Sequence, residues 1–297
     1  MSASASAPVP QGHERRSDQH SAPSGRSSHS TWTGNTSIQR RHLVLLAVAL
    51  LCLAGTLVLI VMVASHPGPL PSDVGLTLWW QRLVLPQHAL TSALEAVSTF
   101  TFPQPEMYLI ATIIAIFGLA LRRLDMLLAL AVLAVADGTN FLLNALLHRP
   151  RPFGYGVAVV QHITTDFSFP SGHVEHVVAF LGIVVFLSFQ VVHPLAWWQS
   201  ALLWVARVAL LATIVLMLPS RVLEGEHWPS DGLAGLLYGG FWLCLAILAY
   251  DWAAQRWPQL LGIREPRRAT APMRETMQVQ SGADAPIQPT RHDSAYP

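Results

Sequence analysis

Lysine is absent from the 297-residue chain, so all 18 basic residues are arginine and no lysine can hold a phosphate. Charge of either sign is scarce. Charged residues make up 12% of the chain, against roughly 25% in ordinary soluble domains. That shortage argues against a soluble enzyme, and a formal net charge of only +1 argues against a nucleic-acid binder. Cysteine is almost missing as well. Cys52 and Cys244 both sit inside apolar runs, with no spacing for a metal site or a disulfide framework, and read as small buried hydrophobes. What the chain has instead is hydrophobicity, at 52% of residues and a mean hydropathy of +0.41.

A bilayer core takes about 20 consecutive apolar residues per helix. Leu43–Ala64 meets this without one charge, and exceeds a signal-peptide core of roughly 7–15 residues, so it reads as a retained anchor. Further runs at Met107–Leu121, Met126–Leu147, Val174–Val192, Trp198–Leu218 and Gly232–Trp252 bring the expected total to six spans. The expected fold class is therefore all-α, a six-helix membrane bundle over residues 42–256. Residues 1–41 and 257–297 read as disordered tails that cannot bury a core. Between the first two spans, Trp79, Trp80, Leu83 and Val84 recur at helical spacing, Pro86 interrupts, and Ala89–Ser98 resumes. This segment is expected to form an amphipathic helix pair in the headgroup region.

Arginine placement sets the expected orientation. Arg40 and Arg41 precede the first span, Arg122 and Arg123 separate the second and third, and Arg256, Arg264, Arg267 and Arg268 follow the sixth. With six spans these fall on one side, which makes both termini cytoplasmic. Arg149, Arg151 and Arg221 then sit on the outer side, against the rule, and anion binding is the natural reason.

The outer loops also collect the reactive residues, in three segments: Asn144 to Pro152, Pro170 to His173, and Ser220 to Asp231. Pro170–Gly172 turns into a helix whose free N–H groups and positive dipole end attract anions. Arg151 and Arg221 can each offer a guanidinium fork to phosphate oxygens. His227 and Asp231 are four apart, so a carboxylate could accept the Nδ1 proton of His227 and leave Nε2 as a nucleophile. His173 supplies a second imidazole to protonate a leaving oxygen. The set suits covalent phosphoryl transfer.

These segments resemble the type-2 phosphatidic acid phosphatase superfamily, whose pattern is Lys-x6-Arg-Pro, then Pro-Ser-Gly-His, then Ser-Arg-x5-His-x3-Asp. The second and third match at every defined position. The first matches at Arg151 and Pro152, while Asn144 stands where the pattern has Lys. The resemblance covers roughly Leu43–Trp252. It implies a six-helix membrane phosphatase without metal or other cofactor, acting on a lipid phosphate or diphosphate such as polyprenyl diphosphate, phosphatidate or phosphatidylglycerol phosphate. It also implies that His227 forms a phosphohistidine, His173 protonates the leaving group and Asp231 orients His227. Arg151, Ser171, Gly172 and Arg221 would hold the phosphate. Losing the Lys cation at Asn144 costs on the order of 2–4 kcal/mol of transition-state stabilisation. Arg149, or a protonated His148, could replace that charge, and Asn144 can still donate a hydrogen bond.

Other polar residues have plainer readings. Glu175 and His176 line the site mouth or bond to it, and Glu224 and Glu226 are solvated loop carboxylates or charges that repel a second negative substrate group. Asp137 and Arg207 fall mid-span and are expected to pair with each other. Two rival functions remain: a phosphotransferase using the same site, and a membrane scaffold or transporter in which the site has decayed.

Overall fold

The computed structural model describes residues 29–66, 68–100, 124–160, 167–190 and 195–261. It is helical, with α1 at His29–Ser65, α2 at Asp73–Val84, α3 at His88–Phe100 and α4 at Leu124–Leu147. Then come α5 at Gly172–Ser188, α6 at Trp197–Leu223 and α7 at Pro229–Arg256. Helix α5 passes through one π-helical stretch, Val177–Leu181, between two α-helical ones. No strand occurs among the described residues.

Four helical stretches among them are long and apolar enough to cross a membrane: Ile38–Ser65, Leu130–Leu147, Trp197–Leu223 and Pro229–Arg256. The chain is a multi-pass membrane protein. Helix α5 is apolar but shorter, and Met107–Leu121, the second expected span, lies outside the described residues. Helix α1 starts at His29, so part of the stretch expected to be a disordered tail is helical. No proline falls between Pro23 and Pro67 to end it earlier.

Packing centres on α7, which runs against α1 on one side and α5 on the other. The α5 contact exists because of glycine. A Cβ on Gly235 would lie 2.5 Å from the Ser171 carbonyl oxygen, and one on Gly239 would lie 2.7 Å from that of Glu175. Helix backbones touch here, which draws the start of α5 against the start of α7. Gly235→Ala and Gly239→Ala should each cost about 1–3 kcal/mol by overpacking. Thermal unfolding of the detergent-solubilised variants measures that loss.

Helices α2 and α3 pack on the C-terminal end of α6, where Val84, Leu94 and Leu223 form a buried cluster with Trp80 and Leu85. The buried stripe of α2 is mostly polar, comprising Asp73, Thr77, Gln81 and Val84, whereas Leu76, Trp79 and Leu83 are exposed. That inverted arrangement suits a helix lying at an apolar boundary.

Asp137 and Arg207 do not pair. Asp137 on α4 meets Nδ1 of His176 at 3.1 Å, and Arg207 on α6 donates through Nε to Ser188 Oγ at 2.9 Å and through a terminal nitrogen to the Ser188 carbonyl at 2.6 Å. Its guanidinium also stacks on Phe189, 3.9 Å from the ring centroid. Ser188 lies twelve residues beyond His176, roughly 18 Å along a helix. Arg207 therefore caps the far end of α5, satisfying a terminal carbonyl, while Asp137 serves a different depth.

Candidate active site

Loops at one end of the bundle bring the three motif segments together. The backbone N–H of Ser171 donates to the Asp231 carbonyl at 3.1 Å, and that of Ser168 to the Arg149 carbonyl at 2.8 Å. The fully buried Trp228 donates its indole N–H to the Pro150 carbonyl at 3.0 Å. Gly225 completes the loop before His227: its φ is +73°, and a Cβ there would meet the Ala158 carbonyl oxygen at 2.3 Å, so only glycine fits.

His227 is buried, and its Nδ1 lies 2.8 Å from the Ser168 carbonyl. A carbonyl only accepts, so Nδ1 carries the hydrogen. Burial, then the nearby charges of Arg151 and Arg221 and the His173 ring, hold the imidazole pKa well below its ordinary value. A neutral ring protonated at Nδ1 leaves Nε2 with a lone pair. His173, Arg151 and Arg221 thus lie near enough to His227 to act on its charge.

The orienting partner differs from the expected one. Asp231 Oδ2 stands 3.9 Å from Nδ1, beyond hydrogen-bonding distance. Pro229 starts α7, so His227 precedes the helix and the two residues do not share a helical face. Asp231 instead closes the helix start, accepting the Trp228 N–H at 2.8 Å, and pairs with Arg149.

Arg149 is fully buried and committed. One terminal nitrogen donates to Ser230 Oγ at 2.8 Å and to Asp231, and the other to Asp73 Oδ2 at 2.7 Å. Asn144 is similarly occupied, its side-chain amide donating to the Phe167 carbonyl at 3.0 Å. Arg149 thus faces two carboxylates of the chain itself. Arg151 donates to the Glu226 carbonyl at 2.7 Å and to its carboxylate at 2.8 Å. Arg221 meets Glu224 at 2.7 Å and Glu226 at 3.8 Å. Glu224 and Glu226 are thus buried ion-pair partners rather than solvated carboxylates. Ser171 is buried at the head of α5, its Oγ without a hydrogen-bond partner among the described residues, and Gly172 follows in the first turn. Glu175 is fully buried rather than at the mouth of the site. Among the described residues no three His, Cys, Asp or Glu side chains are grouped so as to hold a metal ion.

Several contributors escaped the motif reading. Asp73 accepts from Arg149, from the Ser230 N–H at 3.1 Å, from Ser230 Oγ at 2.7 Å and from the Leu70 N–H at 2.8 Å. Gln81 donates to the Ala158 and Leu223 carbonyls at 2.7 and 2.8 Å. Ser98 donates to Glu224 at 2.7 Å. All three come from α2 and α3, and the only signal in the sequence is a polar residue every fourth position of α2.

Residues 125–255 match the PAP2 superfamily. Over 135 residues the chain is 34% identical to the Escherichia coli K12 protein named "Putative undecaprenyl-diphosphatase YbjG", covering 44% of this chain and 60% of that protein. Over 83 residues it is 36% identical to a lipid A 1-phosphatase of Rhizobium etli, covering 28% of this chain and 29% of that one. The chain thus spans less than two thirds of either relative. The fold matches the crystal structure of a transmembrane PAP2-type phosphatidylglycerolphosphate phosphatase from Bacillus subtilis with a TM-score of 0.56 and 20% identity, over 70% of this chain and 98% of that one.

Proposed function

Taking residues 125–255 as a PAP2-superfamily segment, we propose that the protein is a membrane lipid phosphatase that hydrolyses a lipid phosphate or diphosphate through a phosphohistidine. The observation that carries this reading is the neutral His227 with its hydrogen fixed on Nδ1 by the Ser168 carbonyl. Nε2 then attacks phosphorus while Arg151 and Arg221 stabilise the charge on the phosphoryl oxygens, helped by Ser171 and the Gly172 end of α5. His173, protonated as the anionic phosphoryl group comes beside it, gives that proton to the departing lipid oxygen or phosphate. Water then cleaves the phosphorus–nitrogen bond and passes a proton back to His173, releasing phosphate and restoring His227. Asp231 acts through the loop, by fixing the start of α7 and holding Arg149. Arg149 and Asn144 belong to the scaffold of the site rather than to the phosphate's ligands.

The names of the relatives favour a polyprenyl diphosphate, a lipid A phosphate or phosphatidylglycerol phosphate as the substrate class. We place the site at the outer face, with six spans, both termini cytoplasmic and α2–α3 in the headgroup layer, because the arginine-rich loops collect on the opposite side. The lipid tail then stays in the bilayer while the headgroup reaches His227.

The test is turnover of a panel of radiolabelled lipid phosphates by the purified protein with EDTA present, quenched rapidly. Release that survives chelation, together with an acid-labile, alkali-stable label on the protein, is the expected result. A full set of substrates with neither release nor label would overturn the reading.

A further inference from the structure

The two arginines assigned to the phosphate carry carboxylates of the chain itself. Arg151 donates to Glu226 Oε2 at 2.8 Å, and the same oxygen lies 3.8 Å from a terminal nitrogen of Arg221. Arg221 also holds Glu224 at 2.7 Å. Among the described residues, four buried carboxylates (Asp73, Glu224, Glu226 and Asp231) face three guanidiniums, those of Arg149, Arg151 and Arg221. No lysine relieves the excess, and the residue at the Lys position, Asn144, spends its amide on Phe167. An anion that binds here enters a pocket already supplied with negative charge.

A carboxylate oxygen and a phosphate oxygen offer a guanidinium the same kind of charge-assisted acceptor. Glu226 bridges both arginines and is the immediate chain neighbour of His227. We propose that Glu226 is an internal competitor for phosphate. Its carboxylate neutralises Arg151 and Arg221 between turnovers, gives way when the substrate's phosphoryl group arrives, and returns as the product forms. Its return weakens the hold on inorganic phosphate and speeds product release. No bond is made or broken in this exchange; one anion replaces another on the same two cations. Glu224 stays on Arg221 throughout, tied by Ser98 from α3.

This inference rests on the phosphatase reading, so its test measures binding as well as turnover. The probe is inorganic orthophosphate, titrated calorimetrically into the full-length protein in detergent, with E226Q and E226A beside the parent. Gln keeps the size of Glu and a hydrogen-bond acceptor for Arg151 but removes the charge. E226Q should bind phosphate about ten-fold more tightly than the parent, and product inhibition in the steady state should tighten by the same factor. A residue that merely held Arg151 in place would do the opposite, since its loss would weaken phosphate binding. Should E226Q fail to fold, Glu226→Asp, one methylene shorter, should show the same tightening to a smaller extent. Phosphate affinity unchanged or lowered in folded variants would overturn the role of Glu226 alone. Absence of phosphate binding in every folded variant and the parent would overturn the phosphatase reading with it.

Discussion

His227→Ala should lower phosphate release on the order of 10⁴-fold or more, with little change in thermal stability. The size follows from the role: without Nε2 no covalent intermediate forms, and residues acting as a nucleophilic unit lose nearly all their effect together. Stability should survive because Ala removes a buried imidazole held by a hydrogen bond to the Ser168 carbonyl and leaves the surrounding ion pairs in place. The pH profile supplies a second readout. Burial and two guanidiniums keep the folded-state pKa of His227 well below the ordinary 6.5. The ring therefore stays neutral as pH drops through 6.5, and kcat should show no loss at that point attributable to the nucleophile. Stability behaves differently, since the unfolded chain takes up a proton below 6.5 while the folded chain does not. The contribution of neutral His227 to stability is present above 6.5 and lost as pH falls towards the folded pKa. A profile of kcat that falls with a midpoint near 6.5 in the parent, and a His227→Ala enzyme of undiminished rate, would each contradict the assignment.

The second large effect is structural. Arg149→Met should destabilise the protein by about 3–5 kcal/mol, because it strands Asp73 and Asp231 in a buried network with one cation fewer. Unlike His227→Ala, it should lower the melting temperature and the activity together. Asp73→Asn should be milder, since Arg149 keeps Asp231 and an amide can still accept from Ser230. A normal melting temperature in Arg149→Met with a raised KM would return Arg149 to the phosphate, as the substitute for the cation missing at Asn144.

The parts legible in the sequence are those written locally. An apolar run carries its own evidence for a span, and Pro-Ser-Gly-His announces a helix start whatever surrounds it. The motif segments could also be placed at one end of the bundle by counting spans. Partner choice was harder, because it depends on which side chain a fold delivers. Asp231 was expected to hold His227 by spacing, but Pro229 starts the helix too late for that and a backbone carbonyl takes the role. Backbone acceptors such as Ser168 have no residue-type signature. Asp137 and Arg207 were matched by charge, which says nothing about depth or about α5 standing between them. Glu224 and Glu226 looked solvated because loop carboxylates usually are, and only their burial against Arg151 and Arg221 shows otherwise.

The inverted face of α2 has a consequence for how the protein is made. Its anchors are distant in the chain: Asp73 waits for Arg149, 76 residues later, and for Ser230, 157 residues later, while Gln81 waits for Leu223, 142 residues later. A nascent chain that has produced only α1 to α4 has no Ser230 or Leu223 to offer. The polar stripe of α2 then lacks those two partners. Docking of α2 therefore runs backwards along the sequence, since it needs Leu223 and Ser230 from the end of α6 and the start of α7. The active site is finished only once α7 has been made.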